Sequence, residues 1–330
     1  MANGMGQCFR AFPPHCLIFM AIVISVAACS NEKHKISGPD LDAAPRSQAI
    51  INSHMHASRL GSDDGAYRAQ VIEEMDQHGI VKSVLHINEV SDVRDWVRAA
   101  PDRFLAGPSF PCVPAGEGRP DSCAWDEGEW PGVDWLRRHY EDGTFSIMGE
   151  MLFVYAGVSP GDGRMDAYWS LAAELDIPVF VHINRGPPPN SPFRPAGCCP
   201  GFDSDLGNPA LLRPVLEKYP DLRIALQHAG FPAMPALGNI AYTEETFELL
   251  RDNPNVYVDM TILNTMAPPP VHAAAVREFV DRGLVDRLMF GTDNLEPGPI
   301  LQRYREMEFL SEEQLRGILH DNAARFLKLY

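Results

Sequence analysis

The chain has 330 residues, of which 45% are hydrophobic, 22% charged and 9% aromatic. These values exclude wholesale disorder and collagen-like repeats, and the length suits one large α/β domain or two average ones. Asp plus Glu number 44 against 28 Lys plus Arg, a formal net charge of −16; this argues against a nucleic-acid partner, which needs a basic face to neutralise phosphates.

Residues 1–30 carry one charged side chain, Arg10, ahead of an apolar run over 16–28. As a helix that run covers only about 20 Å, short of a ~30 Å hydrocarbon core. A charge, a short apolar core and then small residues form a secretory signal pattern. Its end, Val26-Ala27-Ala28-Cys29, resembles the lipobox of bacterial lipoproteins. That resemblance implies cleavage before Cys29, lipidation of its sulfur and export to a bacterial membrane. With Ser30 next, the sorting pattern of such lipoproteins points to the outer membrane, on its periplasmic or surface face. A plain signal peptide and a retained N-terminal anchor are the alternatives. The expected organisation is a signal peptide over 1–28, a polar tether over 29–47 with Gly38, Pro39 and Pro45, and one domain over 48–330.

From residue 48 short apolar runs recur at 49–52, 81–87, 104–110, 145–151, 178–183, 223–228, 256–261 and 288–292. Each is rich in β-branched or aromatic residues and ends in polar or turn residues, as buried parallel strands do. Amphipathic segments lie between them: Val71, Met75 and His78 ahead of the second run, Leu211, Leu212, Val215, Leu216 and Tyr219 ahead of the sixth, and Val276, Phe279 and Val280 ahead of the eighth. Asn208-Pro209 reads as a helix start, and Gly79 and Gly283 as helix stops. Eight strands alternating with helices predict an α/β fold, a single-domain (β/α)8 TIM barrel. A doubly wound sheet is the alternative, but no Gly-rich phosphate turn follows the first run. The Pro/Gly-rich segments 111–131 and 184–207 would lie on the catalytic face of such a barrel.

Of seven cysteines, Cys8 and Cys16 fall in the signal and Cys29 at its end, leaving Cys112, Cys123, Cys198 and Cys199. An oxidising compartment permits disulfides. Cys112–Cys123 is the preferred pair, because both lie in one loop; a bridge between the neighbours Cys198 and Cys199 would be strained. A zinc knuckle is a rival that no CxxC spacing supports.

Polar residues sit at the C-terminal ends of the expected strands: Asn52-Ser53-His54-Met55-His56, Gly149-Glu150, Val181-His182, Gln227-His228 and Gly291-Thr292-Asp293. In a barrel those ends ring one mouth, where active sites are built. His54 and His56 are two apart, so on a strand they point the same way and can chelate one ion. His182, His228 and Asp293 converge on them from other strands, and such donors suit zinc, iron or manganese. Each residue alone has an ordinary reading: a lone HxH is common, His182 could be a hydrogen-bonded core histidine and Asp293 a helix cap. Five matches at the proper ends of separate strands outweigh those readings.

Residues 48–330 resemble the amidohydrolase superfamily, in its amidohydrolase-related branch. The matching stretches are His54-Met55-His56, Gly149-Glu150, Pro178-Val179-Phe180-Val181-His182, Gln227-His228-Ala229-Gly230, Val256-Tyr257-Val258-Asp259, Phe290-Gly291-Thr292-Asp293 and Asn322-Ala323-Ala324-Arg325-Phe326-Leu327. The resemblance implies a metal-dependent barrel enzyme, usually a hydrolase, with some relatives that decarboxylate aromatic or unsaturated acids and others that open lactones. There is one departure, Asn52, where the family usually has an acid. Binuclear relatives bridge two ions with a carboxylated lysine at the end of strand 4, where this chain has Glu150. Of Lys33, Lys35, Lys82, Lys218 and Lys328 only Lys82 falls on a strand, at its wrong end. The expectation is a divalent metal, zinc first, either one ion or two bridged by Glu150. Metal ligands would come from His54, His56, His182, Asp293 and Glu150, and catalysis from Asp293 and His228. Arg185, His86 and Asp259 are candidates for substrate binding.

The expected activity is attack of a metal-activated water on a C–O or C–N bond of a small carboxylate, lactone, ester or amide. Asp293 would hold that water and shuttle its proton, and His228 would help polarise the carbonyl. The alternatives are non-oxidative decarboxylation at the same metal and a non-catalytic lipoprotein that only binds a ligand.

Overall fold

The computed structural model describes residues 49–57, 64–111, 125, 130–184, 186, 198–231 and 242–330. They belong to one compact unit, Pro45–Tyr330. The signal, tether and lipidation expectations, Cys29 included, lie outside the described residues, as do Arg185, Cys112, Cys123 and most of the segments 111–131 and 184–207.

Eight parallel strands appear where the apolar runs place them: β1 (Ile50–His56), β2 (Ile80–Ile87), β3 (Phe104–Pro108), β4 (Met148–Met151), β5 (Val179–His182), β6 (Ile224–Gln227), β7 (Val256–Asp259) and β8 (Leu288–Met289). The ladders run β1-β2-β3 and β4-β5-β6-β7-β8. Two seams close them into a ring. Ser146 N donates to Ala106 O at 2.8 Å and Phe110 bridges Met151, joining β3 to β4; Ser53 N donates to Phe290 O at 2.8 Å, joining β8 to β1. The fold is a (β/α)8 barrel.

Several strands are shorter than their apolar runs. β8 pairs over two residues because Phe290 N turns to Ile318 O at 2.9 Å, and Asp293 N to His54 O at 2.9 Å. β6 stops at Gln227 because His228 takes a left-handed backbone, φ 74°.

Side chains alternate along each strand. Ile51, Val84, Phe180, Ala225, Tyr257 and Met289 form one buried apolar cluster with Ala323, Ala324 and Phe326 of the C-terminal helix Asn322–Phe326. That helix plugs the bottom of the barrel: Phe326 packs edge-on to Phe180 at 5.5 Å, and Asn322 Nδ2 donates to Leu288 O at 2.7 Å. Two residues further along stand His86, His182, Gln227, Asp259 and Gly291, so the layer above the plug holds four buried polar side chains.

The outer helices follow the expected stripes. Helix Asp64–His78 buries Val71 and Met75 and ends at Gly79, φ 72°. Asn208 Oδ1 accepts from Ala210 N at 2.9 Å, capping the turn that leads into helix Arg213–Lys218. Helix Pro269–Asp281 buries Val276 and Phe279. Among the described residues no helix is long and apolar enough to cross a membrane.

Cys198 and Cys199 are disulfide-bonded to each other and buried against Tyr155. The sequence favoured Cys112–Cys123 over this pair; the structure joins the two neighbours, packed with Tyr155 in one small apolar cluster.

Candidate metal centre

The polar ends of the strands converge. A register irregularity in β1 between Asn52 and Met55 brackets His54. His54 Nε2 lies 3.6 Å from Asp293 Oδ1, and His56 Nε2 lies 3.3 Å from the same oxygen. On the other side, Glu150 Oε1 is 2.6 Å from His182 Nδ1 and 3.5 Å from His228 Nε2, while His228 Nε2 is 3.1 Å from His182 Nδ1. Glu150 Oε2 reaches back to His56 Nε2 at 3.4 Å, so the two groups are continuous. His54, Glu150, His182 and His228 are buried; the side chains of His56 and Asp293 are 27% and 19% exposed and open the cluster to the mouth.

The donor set fits a divalent cation. Three groupings, His54-His56-Asp293, His54-His228-Asp259 and Glu150-His182-His228, each hold ligand atoms within 4.8 Å of one another. The Nε2 of His54 is fully buried and has no hydrogen-bond partner among the described residues. A buried imidazole nitrogen without a partner is costly, and an ion would satisfy it. Imidazole nitrogens with carboxylate oxygens suit zinc or manganese.

The electrostatics have the same origin. Burial alone would lower the His54 pKa, but the Asp259 carboxylate, then Asp293, outweigh it and raise it to about 9. Burial opposes ionisation of Asp293, yet His54, His56 and His228 hold it below the usual carboxylate range. Glu150, buried but beside His182, is held well below its ordinary value. His228, also buried, is raised by its hydrogen bond to Glu150 and by Asp293.

Two ends of the site need unusual backbone. His228, Ala229 and Gly230 have φ 74°, 57° and 66°, and Asp293 and Asn294 have 48° and 61°. Non-glycine residues there are strained by about 1–3 kcal/mol each and persist only where surroundings enforce them. Here Asp259 Oδ1 accepts from His228 N at 3.1 Å, and Asp293 N donates to His54 O. Gly291 leaves room: a Cβ there would come within 2.9 Å of Thr261 Cγ2 and 3.0 Å of His54 Cβ.

The remaining expected residues lie beneath the cluster. Asp259 is fully buried, its Oδ2 3.1 Å from His54 Nδ1. His86 is 1% exposed, its ring centroid 5.3 Å from that of His54 and 5.4 Å from that of His56, with Nε2 2.8 Å from Gln227 Nε2. Burial, then the nearby His54, lower its pKa to about 3. Asn52 ties β1 to the end of β8: its Nδ2 donates to Thr292 Oγ1 at 2.9 Å and its Oδ1 accepts from Thr292 N at 3.1 Å.

Sequence reasoning missed two residues. Thr261 places its hydroxyl 2.8 Å from His228 Nδ1, 3.1 Å from His54 Nδ1 and 2.6 Å from Asp259 Oδ1. Its place two residues after Asp259 was the available signal. Tyr155 puts its hydroxyl 3.5 Å from His182 Nε2; its helix is only four residues, Phe153–Ala156, and carries no periodicity to read.

The amidohydrolase family model matches residues 51–329, and the chain belongs to that family of enzymes. Solved structures of similar fold include a probable 2-pyrone-4,6-dicarboxylic acid hydrolase from Acinetobacter baumannii with citric acid bound (TM-score 0.60, 14% identity, 85% of this chain and 99% of that one). Another is a 5-carboxyvanillate decarboxylase from Novosphingobium aromaticivorans with bound manganese (TM-score 0.56, 16% identity, 85% and 97%). A third is a dihydroorotase from Campylobacter jejuni (TM-score 0.52, 14% identity, 86% and 84%). At these identities the likeness establishes the barrel. No curated protein matches the chain.

Proposed function

We propose that the chain is a metal-dependent hydrolase that opens a C–O or C–N bond of a small carboxylate, lactone, ester or amide. The observation that carries this reading is the bare, fully buried Nε2 of His54, turned toward Asp293 beside His56. His54, His56, His182 and Asp293 would hold one ion, zinc first, and Glu150 would bridge to a second if two are bound. A divalent cation at this point supplies Lewis acidity, lowering the pKa of water towards ~7 and polarising a carbonyl oxygen. Asp293, partly exposed at the mouth, accepts the proton of the attacking water and returns it to the leaving group. His228 stands across the cluster with Nε2 facing inward and serves the oxygen of the substrate carbonyl.

A second reading is non-oxidative decarboxylation of an aromatic or unsaturated acid. It is supported by a decarboxylase among the proteins of the same fold, and by His228 Nε2 standing at the cluster, 3.1 Å from His182 Nδ1 and 3.5 Å from Glu150 Oε1, where a proton can be handed over. The test is a panel of esters, lactones, amides and aromatic acids, assayed with zinc or manganese restored. Acid release without CO₂ supports hydrolysis; CO₂ release supports the second reading; no turnover with either metal supports a protein that only binds its ligand.

The lipobox resemblance of Val26-Ala27-Ala28-Cys29 supports export and attachment to a membrane through lipid on Cys29. Labelled fatty acid should enter the parent and not Cys29→Ser; equal labelling rejects the anchor.

A further inference from the structure

Thr261 has one hydroxyl hydrogen, and three groups compete for it. Asp259 is an acceptor on both oxygens: Oδ1 accepts from the backbone N–H of Thr261 at 2.9 Å and of His228 at 3.1 Å, and Oδ2 faces His54 Nδ1 at 3.1 Å. An ionised carboxylate only accepts, so the 2.6 Å contact to Asp259 Oδ1 takes the Thr261 hydrogen. The oxygen of Thr261 then faces His228 Nδ1 at 2.8 Å as an acceptor. The Thr261 carbonyl, at 3.4 Å from the same nitrogen, is an acceptor too. A ring nitrogen between two acceptors carries a hydrogen. His54 Nδ1 stands in the same position, 3.1 Å from Asp259 Oδ2 and 3.1 Å from Thr261 Oγ1.

We propose that Asp259 and Thr261 form a tautomer lock that fixes the ring proton of both His54 and His228 on Nδ1. The consequence differs for the two rings. His54 presents a bare Nε2 to the cation. His228 turns its Nε2 to Glu150 Oε1 at 3.5 Å and His182 Nδ1 at 3.1 Å and exchanges its proton there, while its Nδ1–H stays on the Thr261–Asp259 chain, which stabilises the imidazolium form when it arises. Thr261 is thus a positioning residue, linking a carboxylate on β7 to an imidazole at the end of β6. The role assigned to His228 rests on the metal-enzyme reading above; the location of the protons does not.

The experiment is nitrogen-15 NMR of histidine-labelled protein, recorded with and without zinc, on the parent, Thr261→Ser, Thr261→Val and Asp259→Asn, with zinc content and steady-state kinetics measured on the same samples. The parent should show Nδ1–H signals for His54 and His228. Thr261→Ser should keep both and retain most of the turnover. Thr261→Val, the same shape without the hydroxyl, should lose the Nδ1–H signature of His228 alone. It should keep its zinc, because Asp259 still holds His54, and lose turnover by ~10–100-fold, chiefly in kcat. Asp259→Asn should disturb both rings and weaken zinc retention. A parent with the proton of His228 on Nε2, or a Thr261→Val spectrum unchanged at His228, overturns the lock. A parent that holds no zinc contradicts the metal reading, while its metal-free spectrum, recorded at rising pH until both rings are neutral, still tests the lock.

Discussion

Glu150 Oε1 on β4 sits 2.6 Å from His182 Nδ1 on β5, and the other oxygen of the same carboxylate reaches His56 on β1 at 3.4 Å. One buried acid therefore joins the two halves of the site. Glutamine at this place keeps the shape but turns one acceptor into a donor and removes the charge that faces three imidazoles. Glu150→Gln should weaken zinc retention by ~10-fold or more and lower the stability of the metal-free chain by about 1–3 kcal/mol. Chelator competition and thermal unfolding read the two effects. If the parent holds two ions, the variant should hold one. Unchanged affinity and midpoint would remove Glu150 from the site.

His54 and His228 differ in what they face. The Nε2 of His54 is bare and directed at Asp293, whereas that of His228 already meets His182 and Glu150. His54→Ala should lose both metal and turnover. His228→Ala should keep most of its metal and lose turnover by ~10²-fold or more. A metal-free His228→Ala would make His228 a ligand instead.

Asp293 joins His54 and His56 and, at 19% exposed against 4% for Glu150, is the more open carboxylate of the cluster. Asp293→Ala should fold, as judged by circular dichroism, and show no turnover above background. Near-parent activity would end its assignment as the proton carrier.

The barrel was legible because its strands are buried on both faces and read as apolar runs, and because Glu150, His182, His228 and Asp293 each stand where a run gives way to polar residues. The layer beneath was less legible. A histidine such as His86 looks the same in sequence whether it lines a mouth or lies 1% exposed against Gln227. Thr261 ends an apolar run as any β-branched residue does, and its contacts beyond Asp259 come from β1 and the end of β6. The left-handed turn at His228 carries only Gly230 as a cue, since the preceding two residues are not glycines. The Cys198–Cys199 link was not preferred because a bridge between neighbours is disfavoured locally, while its packing partner Tyr155 lies far along the chain.

Gly291 has no space for a side chain between Thr261 and His54. Gly291→Ala should destabilise the protein by about 1–3 kcal/mol and reduce zinc affinity, since the backbone must shift at His54. Urea unfolding and zinc titration measure both; an alanine variant equal to the parent in each would contradict the packing described here.

His272 lies outside the metal cluster, fully buried on helix Pro269–Asp281 with its ring 4.8 Å from that of Tyr304. Neither ring nitrogen has a partner among the described residues. Burial, then the nearby Arg303, lower its pKa from 6.5 to about 3. Below pH 6.5 the unfolded chain binds a proton here that the folded chain refuses, so this group removes stability as pH falls from 6.5 towards 3. Its share of the slope is ~1.4 kcal/mol per pH unit. His272→Phe should flatten the acid side of the stability curve by about that amount, measured by denaturant unfolding at stepped pH. An unchanged slope would mean that the histidine is paired in solution.

The measurement that bears most directly on the metal-centre claim is elemental analysis of the purified chain after zinc loading and gel filtration, run beside His54→Ala. The account predicts one zinc per parent chain, or two if Glu150 bridges, and a clear loss in His54→Ala with the fold retained. A parent free of metal, or equal metal in both proteins, would contradict it.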